Sequence, residues 1–222
     1  MNKPLRKTLL GLFLATAVWA QAMPKAGQVY ESKSIDLTGD GKPEKVALVA
    51  HSINNNAESF AGQLRVVNSQ GKILWQGPKL TQSGVPFSFG SWPYGVSGLG
   101  WLGDIDGDKK IELLSANPVS DVRPFTFQRY RWDGKAFRSL GQKMLLESAP
   151  NSGRFLWKDP FEWDGESPLT WGMTPTGDPS RCLVEVMSYA GNGQYRTGQA
   201  IMKGDGLGLT VTGWARPMEE AR

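Results

Sequence analysis

After residue 22, short apolar or alternating stretches of the chain are separated by polar turn residues. Alternation with a period of two, bounded by Gly, Asp and Asn, is typical of strands, whereas a helix needs apolar residues three and four positions apart. The predicted strands cover residues 28–36, 45–51, 63–68, 72–76, 96–102, 111–115, 125–132, 136–140, 168–173, 183–189, 194–202 and 207–214. The pattern therefore predicts an all-β protein.

Polar stretches and glycine-containing turns separate the predicted strands. Residues 52–61 and 78–93 predict loops, and the second is rich in aromatic residues. Hairpins are predicted across Ser69-Gln70-Gly71 and across Asp133-Gly134. Residues 143–147 fit either one helical turn or an extra strand.

A related acidic or polar loop occurs three times in the chain. Its glycines, Gly39, Gly107 and Gly177, are 68 and 70 residues apart, and a fixed period of this kind indicates a repeat architecture. We expect a single domain over residues 23–222 with three units of about four short strands each. The predicted units span residues 28–77, 87–142 and 166–215.

The second loop has the strongest chemical signature, with carboxylates at positions 1, 3, 5 and 9: Asp104, Asp106, Asp108 and Glu112. Carboxylates this close repel one another unless a cation lies among them, and calcium prefers six to eight oxygen ligands. The carbonyl of Lys110 is a further candidate ligand, and Gly107 permits the tight turn. The loop is not an EF-hand, because Lys109 and Ser115 occupy positions 6 and 12. The alternative is an acidic turn without a metal.

The first loop repeats this spacing with a neutral oxygen at position 3. Its candidate calcium ligands are Asp36, Thr38, Asp40, the carbonyl of Lys42, and Glu44. We expect weaker calcium binding here because the site has one carboxylate fewer. The third loop, residues 174–182, lacks the carboxylates at positions 1 and 9, so we expect it to form the turn without binding a metal.

The first 22 residues have the features of a bacterial secretory signal peptide. A basic start precedes an apolar stretch over residues 9–19, and Ala20-Gln21-Ala22 fits a cleavage site after Ala22. The apolar stretch is shorter than the roughly 20 residues that span a bilayer, so an uncleaved anchor is the weaker alternative. These residues predict a periplasmic or secreted protein without a membrane span in its mature chain.

The net charge, the single cysteine and the single histidine bear on which classes of function are possible. Removing three basic leader residues takes the formal net charge from +4 to +1, and no basic run indicates nucleic acid. The single cysteine, Cys182, begins an apolar run and is predicted to be a buried thiol. His51 is the only histidine, so zinc sites of the usual type are excluded and a Ser-His-Asp triad would require it.

With these motifs, the chain resembles the FG-GAP or VCBS-like repeat family, known from integrin α-chain β-propellers and bacterial secreted proteins. Asp104 to Glu112 matches the family's acidic loop, Phe89-Gly90 stands at its Phe-Gly, and Ala116-Asn117-Pro118 replaces its Gly-Ala-Pro. The resemblance implies four-stranded antiparallel blades with calcium in the loop at one end. Three units do not readily close a ring of about seven blades, so an open arc, a compact variant or self-association is expected.

Two classes of function fit these expectations. The first is a binding or scaffold module for a protein or glycan, with structural calcium. The second is a hydrolase of glycans or envelope polymers, because Trp157, Trp163 and Trp171 lie close in sequence to Glu162, Asp164 and Glu166. We favour packing of these tryptophans in the core. A lectin-like role is the intermediate case, in which Trp92, Tyr94 or Trp101 would stack on a sugar beside the second loop.

Overall fold

A computed structural model describes residues 23–54, 58–119, 123–149, 154–163, 165, 169–176, 181–191, 194–205 and 208–220. All regular structure among these residues is β-strand, and the strands form three antiparallel sheets. The all-β prediction is confirmed. A bilayer-spanning helix is not found within the described ranges. The predicted signal peptide, residues 1–22, lies outside them.

The first sheet has six strands in the order β1-β2-β3-β5-β6, and β4 also pairs with β3. Its strands are β1 (Val29–Ile35), β2 (Glu44–Asn54), β3 (Ser59–Val67), β4 (Ile73–Gln76), β5 (Phe89–Trp92) and β6 (Gly95–Ser97). The predicted hairpin after β3 is confirmed by the hydrogen bond from the Gly71 amide to the Asn68 carbonyl. β5 and β6 extend this first sheet, although the repeat period placed residues 87–97 in the second unit.

The second sheet has five strands in sequential order, and the third has four. The second sheet contains β7 (Trp101–Gly103), β8 (Glu112–Asn117), β9 (Thr126–Trp132), β10 (Phe137–Glu147) and β11 (Phe155–Lys158). The third contains β12 (Leu169–Pro175), β13 (Arg181–Gly191), β14 (Gln194–Asp205) and β15 (Gly208–Glu220). Most of the predicted strands in these regions are present and extend further than the patterns indicated. Residues 96–102, predicted as one strand, instead divide between β6 of the first sheet and β7 of the second, and residues 98–100 between them are not strand.

Three further local predictions need correction. Residues 78–93 were predicted as a loop, but Phe89–Trp92 form β5. Residues 52–61 were predicted as a loop, but Ser52, Ile53 and Asn54 pair with residues 61, 60 and 59 as β2 and β3 continue. Backbone pairing needs no apolar side chain, so a polar hairpin end leaves little trace in the pattern. Residues 143–147 form neither a helical turn nor a separate strand, because they continue β10 beyond an irregularity between Ser139 and Gln142.

The second sheet lies between two hydrophobic cores. Leu113 and Leu114 are consecutive buried residues of β8, so they face opposite sides of the sheet. Leu113 joins the cluster shared with the first sheet: Leu37, Val46, Leu48, Leu64, Val66, Phe89, Leu99, Tyr130, Trp132 and Phe137. Leu114 joins the cluster shared with the third sheet: Trp101, Ile105, Phe127, Leu145, Cys182 and Val184. The three sheets are therefore stacked through side-chain packing.

Cys182 is a fully buried free thiol in the second cluster, as predicted. Burial raises its pKa to about 12, which disfavours the nucleophilic thiolate. His51 lies in β2 and is partly buried, and burial lowers its pKa. Neither environment is typical of an activated catalytic group.

Candidate metal site

The loop between β7 and β8 gathers the four carboxylates that define the strongest sequence motif. Ligand oxygens contributed by each of them lie within 4.8 Å of one another: Asp104, Asp106, Asp108 and Glu112. Like charges at this separation repel, so compensating positive charge stabilises such a cluster.

Hydrogen bonds from the backbone to the loop's own side chains explain why it folds locally. The Lys109 amide donates to Asp104 Oδ2 at 3.1 Å, and the Lys110 amide donates to Asp108 Oδ1 at 2.9 Å. Gly107 has a φ of +80°, as its predicted role in the turn requires. Lys109 has a φ of +67°, which costs a non-glycine residue about 1–2 kcal/mol.

Glu112 closes the loop at the start of β8. Its carboxylate is buried, and Oε2 accepts a hydrogen bond of 3.0 Å from the amide of Ile105. Ile105 itself is buried in the second core cluster. Burial raises the pKa of Glu112, while the Ile105 amide and Arg131 oppose that increase. Glu112 and Ile105 thus fix the loop to the start of β8 and to the second core cluster.

Arg131 is a component of this site that sequence reasoning missed. The β8–β9 register places it opposite Glu112. Its three guanidinium nitrogens lie 2.6 Å from Asp106 Oδ2, 3.3 Å from Asp108 Oδ2 and 2.8 Å from Glu112 Oε1. Burial lowers the pKa of Arg131, but the three carboxylates outweigh burial and raise it. No local motif signals this contact, because it depends on strand register across 19 residues.

One unpaired carboxylate oxygen and the net charge of the cluster indicate whether a divalent cation fits it. Asp104 Oδ1 is buried and has no hydrogen-bond partner, and such an oxygen costs about 1–3 kcal/mol when it is left unsatisfied. The four carboxylates carry two more charges than the cationic groups paired with them, Arg131 and Lys110. An orphaned oxygen and an excess of two negative charges both fit a hard divalent cation.

The first loop, between β1 and β2, repeats this turn. Gly41 donates to Asp36 Oδ2 at 2.9 Å and Lys42 to Asp40 Oδ1 at 2.8 Å. The buried carboxylate of Glu44 accepts from the amide of Leu37 at 2.8 Å, as Glu112 does from Ile105. Position 6, which is Gly41 here, again has a positive φ, of +81°. The local repeat in the sequence therefore corresponds to a repeat in geometry.

The two loops differ in how their acidic side chains converge. Asp36, Asp40 and Glu44 are all described, and they do not form a convergent group like that of the second loop. Thr38 is exposed at position 3. Calcium at this loop, and the Lys42 and Lys110 carbonyls as ligands, stay predictions. Residues 177–180 of the third loop lie outside the described residues.

The aromatic residues considered for sugar stacking do not form an exposed platform. Trp101 is 1% exposed and Trp92 is 8% exposed, so both belong to the interior. Tyr94 is 48% exposed, but neither tryptophan ring is available beside it. The prediction that Trp92 or Trp101 stacks on a sugar is therefore wrong.

The tryptophan-rich segment is only partly described. Trp157 packs against the second core cluster, and its ring lies edge-on to Phe127 with centroids 5.9 Å apart. The guanidinium of Arg123 lies 5.7 Å from the Trp163 ring centroid. Glu162 is exposed and lies 3.8 Å from the Lys158 ammonium. Asp164, Glu166 and the Trp171 side chain lie outside the description.

Comparisons of the chain with protein-family models, curated proteins and solved structures gave no match. The resemblance to FG-GAP and VCBS-like repeats therefore rests on the sequence motifs quoted above. The structure places the chain in the class of all-β proteins with antiparallel sheets. Acidic loops join the first two strands of its first and second sheets.

Proposed function

We propose that this protein is an exported, calcium-binding β-repeat protein that acts as a binding or scaffold module. The observation that carries the proposal is the convergence of four carboxylates in the second loop around the unpartnered Asp104 Oδ1. The partner is an unidentified protein or glycan.

Calcium has a structural role in this proposal. The ligands at the second loop are Asp104, Asp106, Asp108, the Lys110 carbonyl and Glu112. The corresponding ligands at the first loop are Asp36, Thr38, Asp40, the Lys42 carbonyl and Glu44. A shell formed by protein oxygens leaves no obvious position for a reacting group, so calcium stabilises the loop and performs no chemistry.

The sheets are proposed to be blade-like units of an open or compact propeller variant. Support comes from the repeated loop geometry and from the second sheet, which packs against a neighbour on each face. β11 and β15 are terminal strands in the order of their sheets. Edges of this kind need a cover, and self-association is one means of providing it.

Calcium is expected to raise the thermal stability of the purified protein. Extracellular calcium modules have dissociation constants of about 10⁻⁴ to 10⁻³ M, so calcium at about 10 mM adds about 1.4–2.7 kcal/mol per occupied site. For a chain of this size, that free energy raises the Tm by several degrees. Differential scanning calorimetry in excess EGTA and in calcium measures the change.

Two variants and a comparison with magnesium test whether the shift in Tm comes from calcium at the second loop. Asp108→Ala removes a proposed ligand and is expected to abolish most of the shift, whereas Asp159→Ala removes an exposed carboxylate that pairs with Lys143 and should retain it. Magnesium at the same concentration should produce a smaller shift, because it demands stricter octahedral geometry. An unchanged Tm in calcium would refute the proposed metal site.

Export is tested separately from metal binding. The protein expressed with its first 22 residues in a bacterial host is expected to begin at Met23 and to appear in the periplasm or medium. Intact-mass spectrometry of fractionated cells measures both. A cytoplasmic protein that retains residues 1–22 would contradict export without bearing on the acidic loops.

A further inference from the structure

We propose that Arg131 is a built-in counter-cation of the second acidic loop and sets its calcium affinity. This inference rests on the proposed calcium function of the same site. The ligands increase calcium affinity, whereas Arg131 decreases it because its guanidinium competes with calcium for the carboxylates. It is therefore an affinity-determining residue and not a ligand.

The geometry supports competition because one side chain engages three of the four clustered carboxylates. Arg131 Nε and its two terminal nitrogens each pair with a different residue: Glu112, Asp106 and Asp108. The carboxylate it does not contact is Asp104, whose Oδ1 has no partner. The guanidinium thus neutralises one side of the cluster and leaves the other side without compensation.

Two opposite effects follow from this position. In the absence of calcium, Arg131 reduces repulsion among the carboxylates and stabilises the folded loop. When calcium is bound, the positive charge of Arg131 repels the ion. The guanidinium also engages carboxylate oxygens that would otherwise bind calcium. Arg131 therefore stabilises the calcium-free protein and weakens calcium binding.

The first loop provides an internal contrast. In the second sheet, Arg131 lies opposite Glu112, and the next residue, Leu113, pairs with Tyr130. In the first sheet, the residue after Glu44 is Lys45, which pairs with Val67, so the position that corresponds to Arg131 is Asn68. Asn68 Oδ1 accepts hydrogen bonds from the amides of Gln70 and Lys72 in the hairpin turn. Among the described residues, no side-chain cation pairs with the carboxylates of the first loop. Of the first and second loops, both of which are fully described, only the second has such a counter-cation.

Calcium titration calorimetry on Arg131 variants tests the inference, with calcium chloride as the probe. Arg131→Gln removes the charge and is expected to lower the Kd of the second loop at least about tenfold. Arg131→Lys keeps a charge but cannot contact three carboxylates at once, so its Kd should lie between the two. Arg138→Gln removes an exposed cation from the same sheet and should leave the Kd unchanged. Asp108→Ala assigns the titration signal to this loop.

Thermal unfolding provides the second readout. In EGTA, the Tm of Arg131→Gln should fall below that of the wild type, and calcium should raise it by more degrees than it raises the wild type. If Arg131→Gln folds in neither condition, the Arg131→Lys titration decides, since a Kd equal to or weaker than that of the wild type contradicts competition. A weaker or unchanged Kd in folded Arg131→Gln overturns the inference.

The outcomes separate this inference from the proposed function. If Arg131→Gln binds calcium and the wild type does not, the counter-cation role is supported and the calcium function of the natural protein fails. If both bind equally, calcium function stands and the role of Arg131 fails. If both are folded and neither binds calcium, both proposals fail.

Discussion

Replacement of Trp101 by alanine is expected to lower the free energy of unfolding by about 3–5 kcal/mol, the range for loss of a large aromatic side chain from a core. Trp101 is 1% exposed and belongs to the cluster between the second and third sheets. Ile105, the second residue of the acidic loop, belongs to the same cluster. Loss of the ring therefore removes packing from both sheets and from beneath the loop.

Equilibrium unfolding in urea, followed by circular dichroism, measures this loss. Tyr94→Ala is the matched control, because Tyr94 is an exposed aromatic from the same set of sugar-stacking candidates and should cost no more than about 0.5 kcal/mol. Trp101→Phe should cost less than Trp101→Ala because it leaves a smaller cavity. If Trp101→Ala proves as mild as Tyr94→Ala, the ring is not part of the core and a ligand-facing role must be reconsidered.

Substitution of Gly90 by alanine is expected to cost about 2–6 kcal/mol, the combined range for overpacking and for an unfavourable backbone conformation. Gly90 lies in β5 with a φ of +134°, and a Cβ there would lie 2.1 Å from the Phe60 carbonyl oxygen. Relief of this clash requires β5 to move away from β3, because the obstacle is backbone. Phe89, the neighbouring core residue, would move with it.

Two other glycines separate the causes of this effect in the same urea experiment. Gly141 has a φ of +83° with open space around its Cβ position, so Gly141→Ala should cost only about 1–2 kcal/mol. Gly213 has neither a positive φ in the left-handed range nor a neighbour within 4 Å, so Gly213→Ala should be within about 0.5 kcal/mol of the wild type. Equal costs at Gly90 and Gly141 would contradict the steric explanation.

The Phe-Gly pair illustrates how a sequence motif acquires its structural meaning. Phe89-Gly90 resembles a family motif and lies within the predicted second unit. In the structure, the Phe89 ring packs in the core between the first two sheets, and Gly90 permits close approach to β3 of the first sheet. The sheet to which these two residues pair depends on contacts 29 residues away, between Gly90 and Ala61.

The sequence by itself determined the features that depend on neighbouring residues. Alternating side chains predicted the strands, Asp133-Gly134 predicted a hairpin, and glycine with flanking aspartates predicted the turn of each acidic loop. These features are local because backbone conformation and side-chain-to-backbone hydrogen bonds act over a few residues. For the same reason, the sequences of the first and second loops are enough to show that they are related.

Only the tertiary structure decided which distant groups meet. It placed Arg131 opposite Glu112, added β5 to the first sheet and buried Trp101 between two sheets. The choice of partner strand and the register between partners set these outcomes, and a shift of register by one residue would turn the side chains of a strand to the opposite face. The composition of a single strand does not contain that register, because it arises from the simultaneous packing of both faces of the second sheet.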